Sequence, residues 1–306
     1  MEDDDMSSIT KGQEEITKGQ EKQYRRFVED AADRAWEKIK NLGKDRFQRF
    51  IERGDEFSDD IVASVTRLSI SNQFADEEVK SNYGYLSGYK PKSITEQTNR
   101  LRELFSGIGY ANEKLAEQPL PENAEGYFAI PRWDKVAPTY GEAVEIIFNM
   151  IKKTRGQFYN YRDGRLGPQY LRLSKKTAEA FEAYYHEQAD YDIIVIPAQF
   201  GLRHAGRSVR RALEVMPGSE FGLDPFTIGI MLLTHPERLM DLNDLWIDCP
   251  GAEYSPDGDG GFSRAPYFRF DDGRVEFGAR DVSGYVGHYG SASGFRPPAE
   301  ACTLEG

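Results

Sequence analysis

The sequence has little of what usually declares a function. It holds two cysteines, Cys249 and Cys302, in 306 residues. That is too few for a disulfide framework or a cysteine-based zinc knot, and a reducing compartment is the expected setting. No run of roughly 18 apolar residues occurs, so no transmembrane helix is expected. The start, MEDDDMSS, is acidic and has no apolar segment, so it does not read as a secretory signal. These absences together predict a soluble cytoplasmic protein.

Motifs are missing as well. There is no G-x-x-x-x-G-K-[ST] loop, no G-x-G-x-x-G turn, no H-E-x-x-H and no paired C-x-x-C. GSASG at 290–294 has Ala292 where a nucleophile elbow needs serine. SPDGDGG, with Asp257 and Asp259, resembles a calcium loop, but Phe268 stands where the bidentate glutamate belongs. An acidic glycine turn is the expectation there. The sequence implies neither a metal nor a cofactor. Excess positive charge is absent too: 51 Asp and Glu outnumber 39 Lys and Arg, for a net charge of −12. The long-range field therefore disfavours nucleic acid, while a local basic patch can still hold one anion.

What is present has an order along the chain. Residues 1–21 carry the repeat ITKGQEE–ITKGQEK and read as a solvated tail. Residues 22–81 read as a helical extension. Phe27, Ala31, Ala35, Ile39 and Leu42 recur at helical spacing, Phe47, Phe50 and Ile51 continue it, and Gly43 is a break. Residues 61–70 fit helix or strand. Tyr, Gly and Lys-Pro-Lys at 82–92 suggest a linker. The core domain is expected over 85–298, followed by a tail at 299–306.

Within the core, Ser93/Glu96, Thr139/Glu142 and Thr234/Glu237 have the spacing of capping boxes that open helices. A further helix fits 175–188. Asp192–Pro197 and Thr227–Leu233 are apolar runs that predict strands buried on both faces, although Asp224-Pro225 could open a helix instead. Leu245–Cys249 predicts a third short strand, and YFAIPRW at 127–133 another. Asp272-Gly273 between YFRF and RVEF signals a hairpin with Phe268, Phe270, Val275 and Phe277 inward. The fold class expected is α/β or α+β. It has a mixed, partly parallel sheet with flanking helices, a C-terminal hairpin and an N-terminal helical extension.

Two constellations could carry chemistry. Arg203, His204, Arg207, Arg210 and Arg211 follow a strand and enter a helix expected at about 207–215, an arrangement suited to phosphate or carboxylate. The competing reading is that these arginines pair with the chain's own carboxylates. The second constellation is the strand ends. If the strands are parallel neighbours, Gln199, Thr234, His235, Asp248 and Cys249 converge on His204. His204, His235 and Asp248 could then do acid–base work, with Cys249 as nucleophile. Each also has an ordinary structural reading. Phe158–Arg172, aromatic and basic, reads as packed surface more readily than as a stacking platform.

The strings PAQFGLRHAGRSVRR, LLTHPERL, LWIDCPGAEYSP and YGSASGF resemble uncharacterised conserved proteins of small-genome candidate bacterial lineages. The likeness runs from about residue 85, near GYKPKSITEQ, through GYFAIPRW and LGPQYLRLS, to 298. It implies that 85–298 is one unit and lends no activity. The reading reached is a non-catalytic binding or scaffold protein with an anion site at Arg203, Arg207, Arg210 and Arg211, its partner an anionic small molecule. The rivals are an enzyme acting on a phosphorylated or carboxylated substrate, and protein association or self-association through helices at 22–56.

Overall fold

The structure is a computed structural model that describes residues 17–41, 43–70 and 73–296, the side chains of 63 and 66–70 excepted. Most of the expected N-terminal tail, Leu42, the C-terminal tail and Cys302 lie outside the described residues. The chain divides into two compact units, residues 1–65 and 66–306.

The first unit is helical. It holds α1 (Lys18–Ile39), α2 (Lys44–Glu52) and most of α3 (Gly54–Ile70), so the stretch open to either reading at 61–70 is helix. α1 starts inside the stretch expected as tail. Thr17 and Gln20 form a reciprocal capping box, with Thr17 N–H on Gln20 Oε1 at 2.9 Å and Gln20 N–H on Thr17 Oγ1 at 3.2 Å. Gly43, at φ +81°, breaks α1 from α2. A ladder of rings links the helices: Trp36 to Phe47 at 5.8 Å, Phe47 to Phe50 at 6.0 Å and Phe50 to Phe57 at 5.3 Å. α1 and α2 bury none of their residues.

The second unit is an α+β core. In chain order it contains α4 (Ile94–Leu104), β1 (Gly126–Pro131), α5 (Tyr140–Arg155), β2 (Phe158–Asn160), β3 (Leu171–Leu173), α6 (Lys175–Glu187), β4 (Ile193–Gln199), α7 (Val209–Val215), β5 (Glu220–Gly222), α8 (Pro225–Thr234), β6 (Trp246–Asp248), β7 (Ala252–Tyr254), β8 (Arg264–Asp271), β9 (Arg274–Asp281), β10 (Tyr289–Ser291) and β11 (Ser293–Phe295). One sheet is antiparallel throughout, in the order β1-β4-β11-β5. The larger sheet runs β10-β6-β8-β7-β3, with β9 beside β8 and β2 beside β9. It is mixed, because β10 pairs β6 and β2 pairs β9 in parallel.

The capping boxes at Ser93/Glu96 and Thr139/Glu142 open α4 and α5 as their spacing predicts. The hairpin forms too. Phe268 faces Phe277 across β8 and β9, and Asp272 and Gly273 turn the chain at φ +48° and +75°. α5 lies against the inner face of the larger sheet, its Phe148 ring 4.4 Å from Phe277 and 5.8 Å from Phe268. On its other side α5 packs on α8, which in turn meets β1 of the antiparallel sheet.

α8 corrects the largest error of the sequence reading. The run expected as a strand over Thr227–Leu233 is a helix with all ten residues buried. Asp224 caps it, accepting from Phe226 N–H at 3.0 Å and Thr227 N–H at 3.3 Å, with Pro225 in the first turn. An apolar run without a polar face has no period that separates helix from strand, so the Asp-Pro start was the deciding signal. The third expected capping box fails for the same reason: Thr234 ends α8, and its hydroxyl donates back to Ile230 O and Met231 O at 3.1 Å. The expected linker is no free linker either. Gly84 O accepts from Leu245 N–H at 2.8 Å, and Leu86 N–H reaches Asp244 Oδ1 at 2.8 Å, so 82–92 is laid on the core.

Candidate functional site

The arginine turn leaves the end of β4. Phe200 is buried, and Gly201 turns the chain at φ +122° where a Cβ would lie 2.6 Å from Gly290 O. A tight turn over Leu202–His204 follows, then Gly206, and Ser208 caps α7 by accepting from Arg211 N–H at 3.0 Å. α7 has seven residues, shorter than the helix expected at 207–215.

Each arginine meets a carboxylate of the chain itself. Arg203 Nε lies 3.1 Å from Glu220, Arg207 Nε 3.0 Å from Glu78, and Arg211 Nη1 2.9 Å from Glu214. Arg210 grips both oxygens of Glu77, its Nε at 2.7 Å from Oε2, and Ser208 Oγ adds a third donor at 2.7 Å. The guanidinium of Arg210 holds the Glu77 carboxyl below its ordinary range, and that of Arg207 does the same for Glu78.

Behind the arginines lies a buried relay. His204 Nδ1 accepts from Arg207 Nη1 at 3.1 Å, so the proton sits on Nε2, which donates to Glu220 Oε1 at 2.8 Å. Burial pulls His204 below its ordinary value, and the charges of Arg207 and Arg203 act in the same direction. Burial pushes Glu220 up, but donors from His204 and Ser293 and the charge of Arg203 outweigh it, and the carboxyl stays ionised. Ser293 Oγ donates to Glu220 at 2.5 Å and accepts from Gln199 Nε2 at 2.8 Å. The serine therefore faces the carboxylate, and the imidazole is no base toward it.

The other candidates sit elsewhere, because the expected row of parallel strand ends does not exist. β4 is antiparallel to both neighbours, and β6 belongs to the other sheet. His235 follows α8. Its Nε2 accepts from Lys92 N–H at 3.0 Å and its Nδ1 faces Met231 O at 3.2 Å. Burial, with the charge of Lys92, brings it down to about 4, a neutral ring at physiological pH. Asp248 is fully buried on β6 with Arg280 Nε 3.2 Å away, and burial pushes its carboxyl up to about 6. Burial pushes the Cys249 thiol well above its ordinary value, and the charges of Asp248 and Asp224 push the same way. A thiol so placed is not a thiolate nucleophile. Among the described residues, no hydrogen bond or ion pair joins any two of His204, His235, Asp248 and Cys249.

Two features escaped the sequence reading. Among the described residues, the largest fully buried side chain is Arg238, with Nη2 donating to Leu245 O at 2.6 Å and its guanidinium 4.1 Å from the Tyr85 ring. Tyr85 Oη donates to Glu125 at 2.6 Å, and burial pushes the Glu125 carboxyl up. These residues come from distant segments with no shared spacing. The other missed feature is the acidic stretch Glu77-Glu78, whose pairing with arginines some 130 positions away leaves no local pattern. A shallow depression of about 410 Å³, lined by Leu104, Phe105, Lys135, Val136, Met150 and Asp192, touches none of these residues. Among the described residues no group of three or more metal-ligating side chains comes together, and no helix is long and apolar enough to cross a membrane. Comparison with protein families, curated proteins and solved structures finds no match to this chain.

Proposed function

We propose that this protein is a non-catalytic scaffold that works by association, with helices α1–α3 packing on a second copy of the chain. The observation that carries the reading is the apolar surface of these helices. Tyr24, Phe27, Trp36, Phe50, Ile51, Phe57 and Val62 are 37–60% exposed. Large side chains at helical spacing normally face a core, and the exposed rings of Trp36, Phe50 and Phe57, joined through Phe47, form the kind of apolar set that marks an interaction surface.

Charge favours a second copy over an unrelated partner. The first half of α1 carries Lys18, Lys22, Arg25 and Arg26 against Glu21, and the second half carries Glu29, Asp30, Asp33 and Glu37 against Arg34 and Lys38, so the halves are net basic and net acidic. Antiparallel pairing about a two-fold axis sets each basic half against an acidic half. A helix of this length spans roughly 33 Å, enough with α2 and α3 for an interface of ordinary size. The enzyme reading has less support, since the sequence candidates are buried and no hydrogen bond or ion pair joins any two of them.

The test is mass in solution. Light scattering on the full chain at about 50 μM should give a dimer, and Phe27→Ser with Trp36→Ser should give a monomer of unchanged melting temperature. A full chain that stays monomeric at that concentration would overturn the reading.

A further inference from the structure

We propose that the arginine turn is a docking site for an extended acidic peptide with a Phe-x-x-Glu-Glu pattern, occupied in cis by residues 73–79 and open to the same pattern in another chain. The contacts are those of peptide recognition. Glu78 and Arg207 form an antiparallel bridge. Val79 N–H donates to Gly206 O at 2.9 Å, and Ser208 N–H donates to Glu77 O at 3.0 Å. This is strand addition on a short scale, in which backbone pairs set direction and side chains set choice. Gly206, at φ +84°, is required here because Val79 O fills the space a Cβ would take.

The side-chain pattern is specific. Arg210 and Ser208 read the first glutamate, and Arg207 and Arg211 read the second. Three residues upstream the Phe74 ring lies under the Arg210 guanidinium, 4.3 Å from its centre. Glu214 accepts from the N–H groups of Gln73 and Phe74 at 2.7 and 3.3 Å, fixing the upstream end. Lone anions such as phosphate would meet two of these elements, whereas an acidic peptide meets all of them.

The two sides differ in how firmly they are held. The turn is tied to the core: Gly206 N–H donates to Tyr289 O at 2.8 Å and Arg210 N–H to Val282 O at 3.2 Å. None of residues 73–79 is fully buried, and solvent reaches, in part, the charge pairs that help to hold them. Segments with few buried apolar contacts open locally at low free energy. A competing peptide then works against an intramolecular effective concentration on the order of millimolar.

The probe is a fluorescent peptide of residues 73–81, QFADEEVKS, and the host is the full chain carrying Glu77→Lys and Glu78→Lys. Anisotropy at low salt should show binding at least tenfold tighter than to the unaltered chain, whose own segment fills the site. Adding Arg210→Glu to the host, or replacing Phe74 by alanine in the peptide, should each weaken binding at least tenfold. Absence of binding to about 1 mM, or binding that survives Arg210→Glu, would overturn the proposal. Amide exchange on the unaltered chain gives a second arm that needs no folded variant. Millimolar peptide should raise exchange at Val79, and unchanged protection there also counts against a docking site.

Discussion

α1 and α8 are both helices, and they are opposites. α8 buries all ten of its residues and has no polar face. α1 buries none of its 22 and has charges of both signs on its surface. The capping chemistry is similar, with a side-chain oxygen accepting from the first-turn amides in each. What differs is the partner. α8 is surrounded by α4, α5 and β1, so its stability is that of the core. α1 has the apolar spacing of a packed helix, yet its Tyr24, Phe27 and Trp36 are exposed. Amphipathicity therefore reports that a helix needs a partner and says nothing of where that partner is.

The strongest way to break this contrast is to put a charge on each helix. Ile230→Asp in α8 buries an unpaired carboxylate and should destabilise the core by at least about 4 kcal/mol, read as loss of the urea unfolding transition. Phe27→Asp in α1 should leave that transition where it is. If both substitutions shift it equally, α1 belongs to the core.

Next comes pH, which should act on the core alone. Asp248 has a folded value of about 6, above its ordinary 3.8. Its contribution is present below 3.8 and is lost as pH rises through 6. Relative to Asp248→Asn, the native chain should lose about 3 kcal/mol between pH 3.8 and pH 8, measured from urea midpoints. His235, at about 4 against an ordinary 6.5, acts in the reverse sense. Its contribution is present above 6.5 and is lost as pH falls through 4. A flat difference between the native and Asn chains would remove Asp248 from this account.

The caps give a smaller and finer comparison. Asp224→Ala removes the acceptor of Tyr140 Oη at 2.7 Å and Thr227 Oγ1 at 2.6 Å together with two amides, and should cost about 2 kcal/mol of core stability. Thr17→Ala should cost about 1 kcal/mol of α1 alone, seen as lost helical circular dichroism with an unmoved melting temperature. The smallest test is one of sign. Gly229→Ala places a Cβ 2.5 Å from Ile147 Cγ2, so overpacking of about 1 kcal/mol should defeat the gain in helix propensity. Gly19→Ala meets only Thr17 Oγ1 at 3.8 Å and should raise the helicity of α1.

Local chemistry made most of the fold legible. The Ser93 and Thr139 caps, the Asp-Gly hairpin and the buried run of β4 each carry their signal within a few residues. Those signals supported the mixed sheet and the α+β class. The misreading of α8 came from the absence of a polar face. The convergence of His204, His235, Asp248 and Cys249 was conditional on parallel neighbouring strands, and strand order is not encoded in local pattern. The arginines were legible as a cluster, and of their carboxylate partners only Glu214, three residues from Arg211, lies within local reach. Glu77 and Glu78 lie far upstream, in a segment whose docking is set by tertiary structure.

β10 and β11 are consecutive and lie in different sheets. Ala292 between them donates to Asp248 O at 3.1 Å and accepts from Leu223 N–H at 3.1 Å. Without β11, β5 has no neighbour in its sheet and one edge of β4 stays open. On the ribosome, residues 289–295 emerge after every other described strand. Until they do, the nascent chain displays the edge of its most apolar strand alongside the apolar faces of α1–α3. The interval before residues 289–295 emerge is therefore when this protein most needs a chaperone. A stop codon shortly before residue 289 would leave β5 unpaired and take the β10 edge from the larger sheet.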